Sequence, residues 1–130
     1  MQSRSIHLIY AVSAPNLDAA RAEVELALDV TLDLHDSVYL GDYFRGALAS
    51  LHVLKLRRNF DPLYDVEQDP PEDRFALREF PEHSNLLYVD GPAAESTDSV
   101  LRSAIEKIPG VTFLQVKYFP DHAEGQPDAS

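Results

Sequence analysis

Residues 6–12 read Ile-His-Leu-Ile-Tyr-Ala-Val, and Pro15-Asn16 follows shortly after them. Apolar side chains occupy both parities of this run, which is typical of an inner strand covered by helices on one side. Pro fits the first turn of a helix, and Asn caps the first helical amides. Apolar residues then recur at helical spacing, at Leu17, Ala20, Val24, Ala27 and Leu28. The sequence therefore predicts a strand followed by an amphipathic helix of about 13 residues.

Five further strands and one more helix are predicted from alternation and turn signals along the rest of the chain. The strands are placed at residues 32–40, 43–45, 51–58, 86–89 and 112–119. We expect Gly46 to break the second of these strands and Gly91-Pro92 to end the fourth. The second helix is predicted to begin at a cap formed by Ser96 or Thr97 and to stop at Pro109-Gly110.

This order of elements predicts the fold class. Two strand–helix–strand crossovers around antiparallel pairs indicate an α+β fold, a ferredoxin-like split βαβ sandwich with a mainly antiparallel sheet. The handedness of such crossovers puts both helices on one face of the sheet. We expect the other face to be free to meet solvent or a partner. At 130 residues, the chain is predicted to be a single domain, residues 1–130.

The stretch from Asn59 to Asn85 has a different composition. It contains four prolines, which cannot donate to a sheet ladder, and eight acidic residues. Six large apolar residues are interleaved with them, more than a linker would carry. We therefore predict an ordered excursion pinned to the core at its aromatic residues, with a helical turn at Asp73 to Leu77. The Gly/Pro/Asp-rich tail from Asp121 to Ser130 is expected to be flexible.

The charge of the chain indicates its type of partner. Asp and Glu number 22 and Lys and Arg 11, so the formal net charge is −11. Such a chain repels nucleic acid and anionic membranes, and it attracts basic proteins. There is no cysteine, which excludes disulfides and cysteine-ligated metal. No apolar run is long enough to span a membrane, and the first residues are too polar for a signal peptide.

No arrangement of residues in the sequence indicates a reaction. The five histidines lack metal-ligand spacing, and Gly-x-Ser-x-Gly is absent. In so acidic a chain, Glu72-Asp73 and the pair Asp33 and Asp36 are interpreted as solvated charge. We therefore predict a protein that is not an enzyme, with no cofactor and no metal site. The basic cluster of Lys55, Arg57 and Arg58 is expected to hold an acidic loop of the same chain, such as Asp61 or Asp65.

Tyrosines beside acidic residues, near Gly41 and at the start of the excursion, have the composition of a surface that binds a basic partner. Aromatic side chains anchor such interfaces, and charges steer the encounter. The candidate partner-binding residues are Tyr39, Asp42, Tyr43, Phe44, Asp61, Tyr64, Asp65, Glu67, Asp69, Glu72 and Asp73.

Four stretches carry a resemblance: Tyr43-Phe44-Arg45-Gly46, Arg58-Asn59-Phe60-Asp61, Glu79-Phe80-Pro81-Glu82 and Leu86-Leu87-Tyr88-Val89. In length, acidity and order of elements over residues 6–119, the chain resembles small bacterial immunity proteins. These are the antitoxins of polymorphic toxins, including those of contact-dependent growth inhibition. The resemblance implies a non-enzymatic cytoplasmic protein that neutralises a cognate toxin domain by covering its active site with an acidic surface. Many such toxins are basic nucleases.

A second resemblance stands beside the first. Residues 6–58 resemble one βαβββ module of the vicinal-oxygen-chelate (glyoxalase-like) superfamily, in which His7 would match a first-strand metal ligand. It implies a small metal- or ligand-binding protein or enzyme. The strand at residues 51–58 lacks the expected Glu ligand, and the second module stops after strand–helix–strand. A homodimer through the free sheet face is a third interpretation.

Overall fold

A computed structural model describes residues 4–120. The elements are β1 (Arg4–Val12), α1 (Leu17–Leu28), β2 (Asp33–Ser37), β3 (Gly41–Ala47), β4 (Val53–Arg58), β5 (Asn85–Pro92), α2 (Glu95–Ile105) and β6 (Val111–Pro120), with a 3-10 turn at Pro71–Arg74. The predicted flexible tail, residues 121–130, lies outside the described residues.

The six strands form one antiparallel sheet in the order β2-β3-β4-β5-β1-β6. β1 lies between β5 and β6, so each helix connects two strands that are not neighbours. This is the ferredoxin-like arrangement, with a four-strand meander between the helices. The predicted α+β sandwich is confirmed.

The hydrophobic core lies between the two helices and one face of the sheet. The even-numbered residues of β1 from Ile6 to Val12 face the helices and are buried with Val24 of α1 and Ile105 of α2. Phe44 of β3 belongs to this core and is only 5% exposed. The sequence assigned Phe44 to a partner-binding surface, and that assignment is corrected here, because its position in β3 turns it toward the helices.

The two helices begin differently. Asn16 caps α1 as predicted, since its side-chain oxygen accepts a hydrogen bond of 2.8 Å from the Ala19 amide. α2 begins earlier than predicted, with Ala94 at the cap position and no side-chain cap. Instead, Asp98 of the first turn reaches back and accepts from the Ala94 amide at 3.2 Å. A predicted cap at Ser96 or Thr97 was therefore wrong.

Gly46 does not break its strand, because β3 continues to Ala47. A Cβ atom at Gly46 would lie 2.7 Å from the Leu32 side chain and 2.7 Å from the Thr31 carbonyl oxygen. The glycine thus allows the segment before β2 to pack directly on β3. Likewise, β5 continues through Gly91, which lies against the buried His52.

The excursion between β4 and β5 is anchored by Asn59, which is 5% exposed. Its amide nitrogen donates to the carbonyl oxygens of Phe80 (2.9 Å) and His83 (3.0 Å), and its oxygen accepts from the Leu77 amide at 2.7 Å. A buried asparagine therefore holds the segment, where aromatic residues were expected to do so. The helical turn lies at Pro71–Arg74 and begins earlier than predicted.

The sheet face opposite the helices is only partly open. Leu86 of β5 and Arg57 of β4 point to this face, yet they are 0% and 6% exposed. Arg57 donates to the Phe60 carbonyl oxygen at 3.1 Å, so the start of the excursion folds onto this part of the sheet. The prediction of a fully free face is corrected accordingly.

Candidate protein-binding surface

The turn between β2 and β3 holds two apolar side chains in solvent. The Ser37 hydroxyl accepts hydrogen bonds from the amides of Tyr39 (3.0 Å) and Leu40 (3.1 Å). This local bonding fixes the turn from within, in the way typical of serine in turns. Val38 and Tyr39 are 69% and 73% exposed as a result.

The start of the excursion is a series of short turns fixed by its own aspartates. Asp61 accepts from the Leu63 amide at 2.9 Å, and Asp65 accepts from the Glu67 amide at 2.9 Å. Asp69 in turn accepts from the Asp65 amide at 2.9 Å. These carboxylates accept from backbone amides that have no ladder partner in this segment.

These two segments lie against each other. Gly41, at φ +69°, adopts a left-handed conformation, and a Cβ atom there would lie 3.2 Å from the Pro62 ring. A cavity of about 200 Å³ lies between the segments and is lined by Leu40, Gly41, Asp42, Arg58, Phe60 and Pro62. We call residues 36–42 and 59–73 together the hairpin end.

The hairpin end exposes more apolar surface than a solvated loop requires. Large apolar side chains that are 47–77% exposed here are Val38, Tyr39, Phe60, Leu63 and Val66. They make up five of the twelve exposed large apolar side chains in residues 4–120. Grouped apolar side chains rimmed by charge mark interaction sites in soluble proteins.

The charge of the hairpin end is mainly negative, although Arg58 lines the cavity between its two segments. It holds eight of the 22 acidic residues and no Lys or Arg. Asp36 and Asp42 are exposed and lie directly opposite each other in the β2–β3 register. Like charges in this arrangement oppose pairing of the strands by about 0.2–1 kcal/mol. No ion pair within residues 4–120 neutralises either carboxylate.

The predicted binding residues fall into three groups. The first group is exposed, and its side chains form no hydrogen bond within residues 4–120: Tyr39, Asp42, Glu67 and Glu72. The second group takes part in turns or in an ion pair and comprises Asp61, Asp65, Asp69 and Asp73. Asp73 pairs with Arg78 at 3.2 Å. Tyr64 is half-buried, and Tyr43 lies on the opposite sheet face, stacked on His35.

Several residues of the hairpin end were missed as candidates. Val38, Leu63 and Val66 are apolar, and residues of this type were expected in the core. Asp36 was noted only as half of a carboxylate pair with Asp33. Asp36 pairs with Asp42 across the hairpin, and this pairing depends on the strand register. The turn signal at Gly41-Asp42 does not determine the register.

The basic cluster and the histidines have other roles. Arg57 binds the backbone of the excursion at Phe60, where a carboxylate of Asp61 or Asp65 was expected. His7 bonds through Nδ1 to Asp90, and His52 is buried and bonds Ser50 at 2.8 Å. Within residues 4–120, no group of three or more His, Asp or Glu side chains is placed to hold a metal ion.

No protein-family model matches this sequence, and no curated protein is significantly similar to it. Neither described helix combines the length and apolar character needed to cross a membrane.

Proposed function

We propose that the chain is an immunity protein that binds a basic toxin domain through the hairpin end and neutralises it without catalysis. The toxin is a nuclease in this proposal, and both act in the bacterial cytoplasm. The observation that supports the proposal best is the arrangement at the hairpin end. Five exposed apolar side chains lie among eight acidic residues, on turns that are fixed before any partner arrives.

Two kinds of residue contribute to binding at the hairpin end, apolar side chains to affinity and carboxylates to the association rate. The exposed apolar side chains supply contact area that becomes buried, worth about 25 cal/mol for each Å² removed from water. The carboxylates of Asp36, Asp42, Glu67 and Glu72 draw a cationic surface toward them and speed association. A nuclease active site is cationic because it binds phosphates, so an acidic surface can occupy the same groove.

Preformed turns make this binding stronger. Ordering a flexible segment on binding costs about 1–2 kcal/mol for each residue that becomes fixed. Ser37, Asp61 and Asp65 hold the turns of the hairpin end before binding, so much of this cost is avoided.

The test is protection from toxicity in a bacterial host. The chain is coexpressed with the C-terminal domain of each large protein encoded beside it, and growth is recorded. The proposal predicts that one such domain stops growth when expressed alone and is neutralised by this chain. Purified, that domain should cleave nucleic acid, and a stoichiometric amount of this chain should abolish the cleavage.

Two double variants locate the surface. Asp42→Lys with Glu67→Lys reverses two exposed charges at the hairpin end, and Glu23→Lys with Glu106→Lys makes the same charge change on α1 and after α2. The first pair should abolish protection and the second should retain it. If both pairs protect equally, binding through the hairpin end is refuted.

The homodimer remains a prediction. The excursion covers part of the sheet face that a dimer would use. In the glyoxalase-like alternative His7 would be a metal ligand. Its bond to Asp90 through Nδ1 leaves Nε2 for a metal, but within residues 4–120 no group of three or more candidate ligands is placed to hold one.

A further inference from the structure

The uncovered part of the sheet face carries a pair of facing cations that form no ion pair within the described residues. Arg45 of β3 and Lys55 of β4 lie directly opposite each other in the strand register, on the face away from the helices. Like charges in this position oppose strand pairing. Neither residue forms an ion pair within residues 4–120.

The acids nearest to this pair leave it free. Asp33 is opposite Arg45 on the other side, and no ion pair joins them. Asp90 of β5 is opposite Val53, two residues before Lys55 in β4, and it is bonded to His7. The positive charge of the pair is therefore available to a ligand.

Tyrosine rings border the cationic pair on two sides. Tyr88 of β5 is the register partner of Lys55, and Tyr43 lies two residues before Arg45 on the same face of β3. Both rings are held in place: His35 stacks on Tyr43 at 5.6 Å between centroids, and His7 meets Tyr88 edge-on at 5.6 Å. The Arg57 guanidinium lies over the Tyr88 ring, 5.7 Å from its centroid, so a ligand would meet the part of the ring that Arg57 and His7 leave open.

We propose that Arg45 and Lys55 bind the phosphate group of a small phosphorylated molecule whose planar body packs on Tyr88. A phosphate monoester carries a charge of about −1.5 to −2 at neutral pH, which matches two facing cations. Arg adds two parallel donors for phosphate oxygens, and Lys adds a compact charge. A flat ring fits beside Tyr88 in an offset or edge-on contact.

The size of the ligand follows from the charge of the whole molecule. At a net charge of −11, the chain repels a polyanion over many phosphates. A ligand with a single phosphate meets the local field of two cations and little of that repulsion, because exposed charges beyond about 8–10 Å are screened at ordinary salt. This separates a small ligand from a nucleic acid strand.

The test is a titration of ¹⁵N-labelled protein with adenosine 5′-monophosphate at about 0.15 M salt, where distant charges are screened, followed by NMR. Adenosine and inorganic phosphate are titrated separately. The proposal predicts that the nucleotide shifts the amides of Arg45, Lys55 and Tyr88, and that it binds at least tenfold more tightly than either of its parts. Equal binding of adenosine would overturn the phosphate role. Equal binding of inorganic phosphate would overturn the role of the ring, and tighter binding of a single-stranded oligonucleotide would overturn the limit to a small ligand.

Neutral variants test the cationic pair without adding repulsion. Arg45→Gln and Lys55→Gln should each weaken nucleotide binding by about tenfold, whereas Lys107→Gln, an exposed cation after α2, should leave binding unchanged. Lys55→Gln should also melt no lower than the parent chain, because the like-charge contact with Arg45 is removed. If Lys107→Gln weakens binding equally, or if the first two variants bind as the parent does, the site is refuted.

Discussion

Replacing Asn59 by alanine should loosen the excursion while the sheet remains folded. The amide of Asn59 makes three short hydrogen bonds, to the carbonyl oxygens of Phe80 and His83 and from the amide of Leu77. Each such bond contributes about 1 kcal/mol net, and the backbone groups left behind lose their partner. We therefore expect Asn59→Ala to lower the free energy of unfolding by about 3 kcal/mol.

The assay combines denaturant unfolding with amide hydrogen exchange. The Leu77 amide should lose most of its protection in Asn59→Ala, because its acceptor is removed. Limited proteolysis should cut within residues 60–84 of the variant under conditions in which the parent chain stays intact.

The matched control is Asn85→Ala. Asn85 is equally buried, but it donates to the carbonyl oxygens of Val12 (3.1 Å) and Ala14 (3.3 Å), so it holds the β1–α1 connection. This variant should lose about 2 kcal/mol and keep the excursion protected. Unchanged exchange at Leu77 in Asn59→Ala, or equal cleavage of the excursion in both variants, would refute the anchoring role of Asn59.

Three further changes test the packing and the pH dependence of the fold. Gly46→Ala should lower the free energy of unfolding, measured in urea, by about 1–3 kcal/mol, because the alanine Cβ would overlap Leu32 and the Thr31 backbone. The control Ala47→Gly should lower it by less than about 1 kcal/mol. Leu51→Gly should raise the melting temperature, since Leu51 is held at φ +71° with a side chain that is 74% exposed; a lower melting temperature would contradict this strain. Burial raises the pKa of Tyr10, so its contribution to stability is present below its ordinary pKa of 10.0 and is lost as the pH rises through the folded value. Tyr10→Phe should therefore unfold with a weaker dependence on pH than the parent as the pH rises above 10.0, and an unchanged dependence would refute this assignment.

The fold was predictable from the sequence because its main signals are local. The run at residues 6–12 and the cap at Asn16 need only neighbouring residues for their interpretation, and both were confirmed. Gly46 was misjudged because its role is a contact with Leu32, which lies far along the chain. The same limit applies to Asn59, since its partners lie 18 to 24 residues away.

The candidate surface was predictable in composition and less so in geometry. Acidic residues and tyrosines near Gly41 indicated a binding region, and Gly41 does lie against Pro62 of the excursion. Adjacent residues of a strand point to opposite faces of the sheet, so Tyr43 and Phe44 cannot share one surface. Phe44 lies in the core, while Tyr43 lies on the other face. The contact of Asp36 with Asp42 depends on the same register.

The most direct test of the hairpin end is the association rate of this chain with its partner toxin domain as a function of salt. Rates are measured by stopped flow for the parent chain, for Asp42→Lys with Glu67→Lys, and for Glu23→Lys with Glu106→Lys. The account predicts a rate for the parent that falls steeply with salt, a rate for the first variant that is at least tenfold slower at low salt, and a nearly parental rate for the second. A parental rate that is insensitive to salt, or two variants that slow association equally, would contradict the account.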